Sequence, residues 1–316
     1  MAMHRDPQLW RVGLVGYGEV GRILAEDLRA QGVAVCAFDL KLGDVALATP
    51  LRAHAVAHGV AMMPSPAALA EASDFIISAV TASQTEAVAA AAAPALQPGT
   101  WLLDFNSASP GAKQRAAAAV VGAGGRYVEG AVMTSIGPYR IRVPLLLGGP
   151  DAAELAPLLR QLGFDAKVAS AQLGVASATK MCRSVMVKGL EAMVIDSFTT
   201  ARAHGVEDAV LASLAETFPG IDWEQQGAYF FQRAIEHGRR RSEEVLEVAA
   251  TVREAGLSPY SAAGTAQRQA WVTDLADAGL FGPRGGAGFA RSPDWRSEAD
   301  RILAHVRAHH PKDHDD

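Results

Sequence analysis

The chain has 316 residues, enough for two domains of ordinary size, each with its own core. Hydrophobic residues make up 49% and charged residues 20%, which excludes a disordered chain, and the formal net charge of −5 argues against a nucleic-acid coat or a polybasic membrane-surface role. The two cysteines, Cys36 and Cys182, are too few for a disulfide framework or a CxxC zinc site and fit a reducing cytoplasm, so a cytoplasmic protein without metal is expected.

The opening Met1-Ala2-Met3-His4-Arg5-Asp6-Pro7 lacks the apolar core of a signal peptide. The apolar run Ala87–Leu96 is too short to span a membrane and is broken by Pro94. Residues 11–15 read as a strand, and Gly16-Tyr17-Gly18-Glu19-Val20-Gly21 follows directly. Arg22–Gln31 reads as a helix stopped by Gly32, and Val33–Phe38 as a second buried strand ending at Asp39. Further strands are expected at Phe75–Val80, Thr100–Asp104, Arg126–Val128 and Pro144–Leu147, with Ser65-Pro66 opening one of the helices between them. Alternating strands and helices predict a doubly wound parallel α/β sheet, whose ligands sit at the C-terminal strand ends near Val80, Thr81, Asn106 and Ser107.

Beyond Leu173 the strand signal ends. A long helix is expected over Thr179–His204, then helices at Ala209–Glu216, Gln225–His237, Arg241–Glu254 and Ala262–Ala278, and a frayed polar tail from His305. The predicted organisation is a Rossmann dinucleotide-binding domain over residues 1–172 and an all-α substrate and dimerisation domain over 173–316. The long apolar helix suggests a homodimer.

A GxGxxG match alone is weak, but this one follows a strand, opens a helix and has an acid eighteen residues beyond Gly21. Gly16 suits the tight turn, Gly18 the approach of a pyrophosphate to the helix N-terminus, and Gly21 close helix–strand packing. Asp39 suits a free ribose and would repel a 2′-phosphate. NAD is therefore favoured, with Lys41 close enough to leave NADP open.

In the long helix Lys180, Ser184, Lys188 and Glu191 fall on one narrow stripe of an otherwise largely apolar rod. A desolvated lysine there could act as a general acid or base; the alternative is a structural salt bridge between the domains. Lys188 could pair with Glu191 three residues on.

With both features in hand, the chain resembles the β-hydroxyacid dehydrogenase superfamily, which includes 3-hydroxyisobutyrate and 6-phosphogluconate dehydrogenases. Gly13–Gly21 looks like its cofactor opening. Leu103-Asp104-Phe105-Asn106-Ser107 is similar to a strand-end loop that touches nicotinamide and substrate. Tyr127–Ser135 takes the place of the substrate loop, and Gly174–Lys180 is similar to the GxGxxxK catalytic motif. Departures are Met133-Thr134-Ser135 for Ser-Gly-Gly, Ala176 for the second glycine, Ser184 for asparagine, and Val187 for the acid of the phosphogluconate branch. His237–Glu244 resembles a phosphogluconate-dehydrogenase-like branch of undefined substrate.

The resemblance implies NAD(P)-dependent oxidation of a 3-hydroxy acid, with Lys180 as general acid/base and Ser184 beside it. Asn106, Ser107, Thr134 and Ser135 would receive the substrate, and Lys188, Arg239 or Arg240 would supply a cation for its carboxylate. Arg239–Arg241 could equally be a solvated helix start. The cofactor set is Gly16, Tyr17, Gly18, Glu19, Val20, Gly21, Asp39, Val80, Thr81 and Asn106. The partner is a small hydroxy acid, with no nucleic acid and no membrane. The alternatives are an imine reductase, against which Lys180 argues, and a non-catalytic dinucleotide sensor.

Overall fold

The structure, a computed structural model, describes residues 6–284, 286, 288–289 and 294–309. Two compact units divide between Cys182 and Arg183.

The first unit begins with β1 (Arg11–Val15), α1 (Glu19–Ala30), β2 (Ala34–Phe38), α2 (Val45–Ala57), β3 (Ala61–Met62), α3 (Pro66–Ala72), β4 (Phe75–Ser78), α4 (Thr85–Ala92) and β5 (Trp101–Asp104). It continues with α5 (Pro110–Gly122), β6 (Arg126–Val132), α6 (Ile136–Tyr139), β7 (Leu145–Gly148), α7 (Ala152–Gln161), β8 (Ala166–Ser170) and the start of α8 (Val175–His204). The strands form one sheet in the order β3-β2-β1-β4-β5-β6-β7-β8. Strands β4 and β5 are buried along their whole length, as expected where helices cover both faces of a parallel sheet. One apolar cluster holds Trp10, Leu14, Phe75 and Trp101, and a second holds Val15, Ile76, Leu102 and Tyr127, so alternate residues of a strand enter different cores.

The register places the strand ends together. Val15 pairs with Phe38 on one side and Ser78 on the other, Ser78 with Asp104, and Asp104 with Glu129. The strand order reverses between β1 and β4, so the crevice outside their carboxyl ends is the topological switch point.

Three features depart from the sequence reading. Strand β7 runs antiparallel to β6, pairing Glu129 with Gly148 and Val132 with Leu145, because residues 133–144 hold only short helical turns and not a full crossover helix. Strand β6 extends to Val132, so most of the expected substrate loop is strand and Met133-Thr134-Ser135 is what remains of the loop. The helix expected from Thr179 begins at Val175.

The second unit holds the rest of α8, α9 (Glu207–Thr217), α10 (Trp223–Glu254), α11 (Tyr260–Asp277) and α12 (Trp295–His309). Its core gathers Phe198, Phe231, Ile235, Val272, Trp295 and Ile302. The two helices expected at Gln225–His237 and Arg241–Glu254 are one helix of 32 residues. Gly238 sits inside it as a point of close approach: a Cβ there would collide with Thr273 Oγ1 and lie 2.8 Å from the Gln269 carbonyl oxygen on α11. Arg239–Arg241 are therefore mid-helix and not a helix start. The polar tail is helical to His309, while its remainder and the opening residues Met1–Arg5 lie outside the described residues. No described helix is long and apolar enough to cross a membrane.

Candidate active site

The glycine turn is built by close backbone approach. Gly16 has φ +93° and donates its N–H to the Phe38 carbonyl at 2.8 Å, and a Cβ on Gly21 would strike the Gly16 carbonyl oxygen. Gly18 differs: a Cβ there would meet nothing within 4 Å, and the residue caps α1 without a side-chain bond. That leaves the first turn of α1 open to an incoming anion, with the helix dipole in its favour. Asp39 at the end of β2 accepts the Tyr17 N–H at 2.8 Å and the Lys41 N–H at 2.9 Å, so its negative charge is fixed beside the turn. Glu19 is exposed, whereas Val20 packs on the core. The Tyr17 ring is fully buried and its hydroxyl meets His54 Nδ1 at 3.0 Å. Burial pushes that phenol up to about 12, so Tyr17 contributes backbone to the turn and keeps its proton.

Asn106 ties two strand ends together. Its Oδ1 accepts the Val80 N–H at 2.8 Å, its Nδ2 donates to Ser78 Oγ at 2.9 Å, and its own N–H reaches Asp104 Oδ1 at 2.8 Å. Thr81, just beyond, is exposed. The next residue, Ser107, accepts a hydrogen bond from Lys180 Nζ at 2.6 Å. Lys180 thus meets the C-terminal end of β5, next to the asparagine that holds β4.

Two groups absent from the sequence reading hold this arrangement. Glu129, 0% exposed, points its carboxylate at the start of α8. Oε1 accepts from the N–H groups of Gly174 (2.8 Å) and Ala176 (3.0 Å), and Oε2 accepts from Ser177 Oγ (2.7 Å) and Ser177 N–H (3.4 Å). The carboxylate satisfies helix N–H groups that otherwise lack partners and faces the positive end of the dipole. Lys180 follows one turn later. Lys113, 1% exposed, pairs with Asp104 Oδ1 at 2.8 Å and donates to the Asp104 carbonyl at 2.8 Å, while Tyr127 donates its hydroxyl to Asp104 Oδ2 at 2.6 Å. Burial and the Asp104 charge hold the Tyr127 phenol well above its ordinary value, so it stays a donor.

Thr134 and Ser135 are exposed just past the end of β6. Ser184 is buried one turn beyond Lys180 on α8. In the second unit Lys188 pairs with Glu244 and not, as expected, with Glu191; Glu191 instead receives Arg241, and Gln269 Nε2 donates to it at 3.2 Å. Burial pushes the Lys188 amine down, opposed by the Glu244 charge. Arg239 donates to Asp274 (2.7 Å) and Asp277 (2.9 Å), clasping α10 to α11, and Arg240 Nε lies 3.8 Å from Glu244. All three cations offered for a substrate carboxylate have acidic partners within their own unit.

Comparison with known proteins bears on the family and the fold. The NAD binding domain of 6-phosphogluconate dehydrogenase matches residues 11–165, and a domain of unknown function, DUF1932, matches residues 201–272. A conserved hypothetical protein from Sinorhizobium meliloti 1021 is 33% identical, covering 96% of this chain and 99% of its own, with a TM-score of 0.74. The conserved protein MTH1747, of unknown function and described as structurally similar to 3-hydroxyacid dehydrogenases, is 28% identical over 85% of this chain and 98% of its own, with a TM-score of 0.66. The 3-hydroxyisobutyrate dehydrogenase of Mycobacterium tuberculosis, solved with L-serine, shares the fold at 16% identity, covering 93% of this chain and 99% of its own, with a TM-score of 0.65. The chain joins an NAD-binding domain of the 6-phosphogluconate dehydrogenase type to a DUF1932 domain, and its fold is that of the 3-hydroxyacid-dehydrogenase-like proteins.

Proposed function

We propose that the protein is an NAD(P)-dependent oxidoreductase acting on a 3-hydroxy acid, with Lys180 as its general acid/base. The observation that carries this reading is the 2.6 Å bond from Lys180 Nζ to Ser107 Oγ, at the end of the strand next to the switch point. The residues suit a dinucleotide: Gly18 leaves open space at the N-terminus of α1, and Asp39, held beside the glycine turn, would receive the ribose. When bound, a nicotinamide supplies the acceptor or donor of hydride. The fixed charge of Asp39 favours NAD over NADP.

Lys180, neutral, takes the proton of the substrate hydroxyl, and its ammonium returns that proton in the reverse direction. Ser107 holds the amine at the end of β5, and Ser184, one turn along α8, is the second hydroxyl offered to the reacting oxygen. The exposed hydroxyls of Thr134 and Ser135 serve the carboxylate, a role for which Lys188, Arg239 and Arg240 are less suited because acids already hold them. Lys180→Ala should lower turnover by ~10²–10⁴-fold with dinucleotide affinity nearly unchanged. The measurement is a dinucleotide titration beside steady-state rates on branched, sugar-derived and aromatic 3-hydroxy acids. Dinucleotide binding by the wild type with no turnover on any of them would replace the enzyme by a sensor module, and unchanged turnover in Lys180→Ala would remove the lysine from the chemistry.

A further inference from the structure

Beneath the glycine turn, α1 and α2 bring together three side chains with the chemistry of metal ligands. Glu26, His54 and His58 offer ligand atoms that all lie within 4.8 Å of one another. His54 and His58 are four residues apart on α2, so both rings project from one face, and they stack with centroids 4.4 Å apart and planes at 25°. Histidines at this spacing on a helix form a chelating pair for a transition metal. Glu26 on α1 adds a carboxylate oxygen 2.9 Å from His54 Nε2.

The groups behind these ligands also suit a metal. His54 Nδ1 faces the buried Tyr17 hydroxyl at 3.0 Å, so with Nε2 on a metal the Nδ1–H would donate to that oxygen and fix the tautomer. Arg140 donates to Glu26 Oε2 at 2.7 Å, leaving Oε1 as the ligand atom.

We propose that Glu26, His54 and His58 form a binding site for a divalent transition metal ion of the zinc class, clipping α1 to α2 next to the dinucleotide turn. Two imidazoles and one carboxylate with a fourth position for water is a known zinc ligand set, and the nitrogen donors disfavour calcium and magnesium. The site is separate from Lys180 and does not depend on the proposed dehydrogenase activity.

The test uses untagged full-length protein stripped with a chelator and titrated calorimetrically with zinc chloride. Another stacked pair, His305 and His309 on α12, could compete, so the titration is made in a His305→Ala/His309→Ala background. One equivalent should bind with a Kd of about 10 µM or tighter. Adding His58→Ala or Glu26→Gln should weaken it by ~10–100-fold. Zinc should also raise the melting temperature of the background protein, but not that of its His58→Ala derivative, which separates loss of the site from loss of the fold. No stoichiometric uptake in the background, or uptake undiminished by both added substitutions, overturns the proposal.

Discussion

Lys180 is the last link of a chain of contacts that starts in the sheet. Glu129 leaves β6 beside Asp104, receives the first N–H groups of α8, and so sets the helix on which the lysine stands. Replacing it with Gln keeps the shape but turns an NH₂ group toward donors. Glu129→Gln should cost about 2–4 kcal/mol of stability, read as a lower urea midpoint. It should also lower kcat while leaving the dinucleotide Kd within about 2-fold; an unchanged kcat would leave Glu129 a structural group alone. Asp39 makes a different prediction, because its charge and not its shape discriminates. Asp39→Asn should move the NAD-to-NADP ratio of kcat/KM toward NADP by ~10-fold, and an unmoved ratio would assign the preference elsewhere. The two residues also show what a sequence can reveal. Asp39 is legible because the glycine motif sets its spacing. Glu129 is not, because its partners lie 45 to 48 residues away and only the fold joins them.

At the scale of elements, legibility followed the strength of the local signal. The strands of the parallel core show as apolar runs because they are buried on both faces. Strand β3 has only two residues, and β8 exposes most of its side chains, so neither stands out. Strand direction is absent from any apolar run, which is why the sequence leads to a parallel β7 where the strand is antiparallel. Helix α12 follows a segment rich in Gly, Pro and Ser that hides its start, although Trp295, Ala299 and Ile302 lie at helical spacing in the core. Glycine commonly ends helices, yet Gly238 lies inside α10 and serves packing. The cost of a side chain can be measured there. Gly238→Ala must move Thr273 or part α10 from α11, which should cost about 1–3 kcal/mol although alanine is the better helix former. Gly264, on the exposed side of α11 with nothing within 4 Å of a Cβ, is the control: Gly264→Ala should be neutral or stabilising. Equal effects at the two positions would mean that propensity, and not packing, decides at Gly238.

Across the whole molecule, opposing carboxylate shifts should shape stability against pH. The Glu26 carboxyl is lowered first by its bond from His54, Glu86 by Arg115, Glu154 by Arg126 and Glu224 by Arg296. A carboxyl with a folded pKa below its unfolded value stabilises fully above the unfolded value, about 4.3 for glutamate. That contribution is lost as the pH falls through the folded value. Glu298 on α12 works in the opposite sense. Its carboxyl is 1% exposed, its Oε1 has no hydrogen-bond partner among the described residues, and burial raises its pKa. Its contribution is fully present below the unfolded value and is lost as the pH rises through the folded one, so above the folded value the folded unit carries a costly buried charge. Glu298→Gln removes that charge and surrenders only a 3.3 Å contact with the half-exposed Arg301. Urea unfolding at pH 8, 6 and 4.5 should therefore show the variant gaining most over wild type at pH 8, with the gain shrinking toward pH 4.5. A gain that is constant or grows as the pH falls would show that Glu298 is not the group held uncomfortably charged.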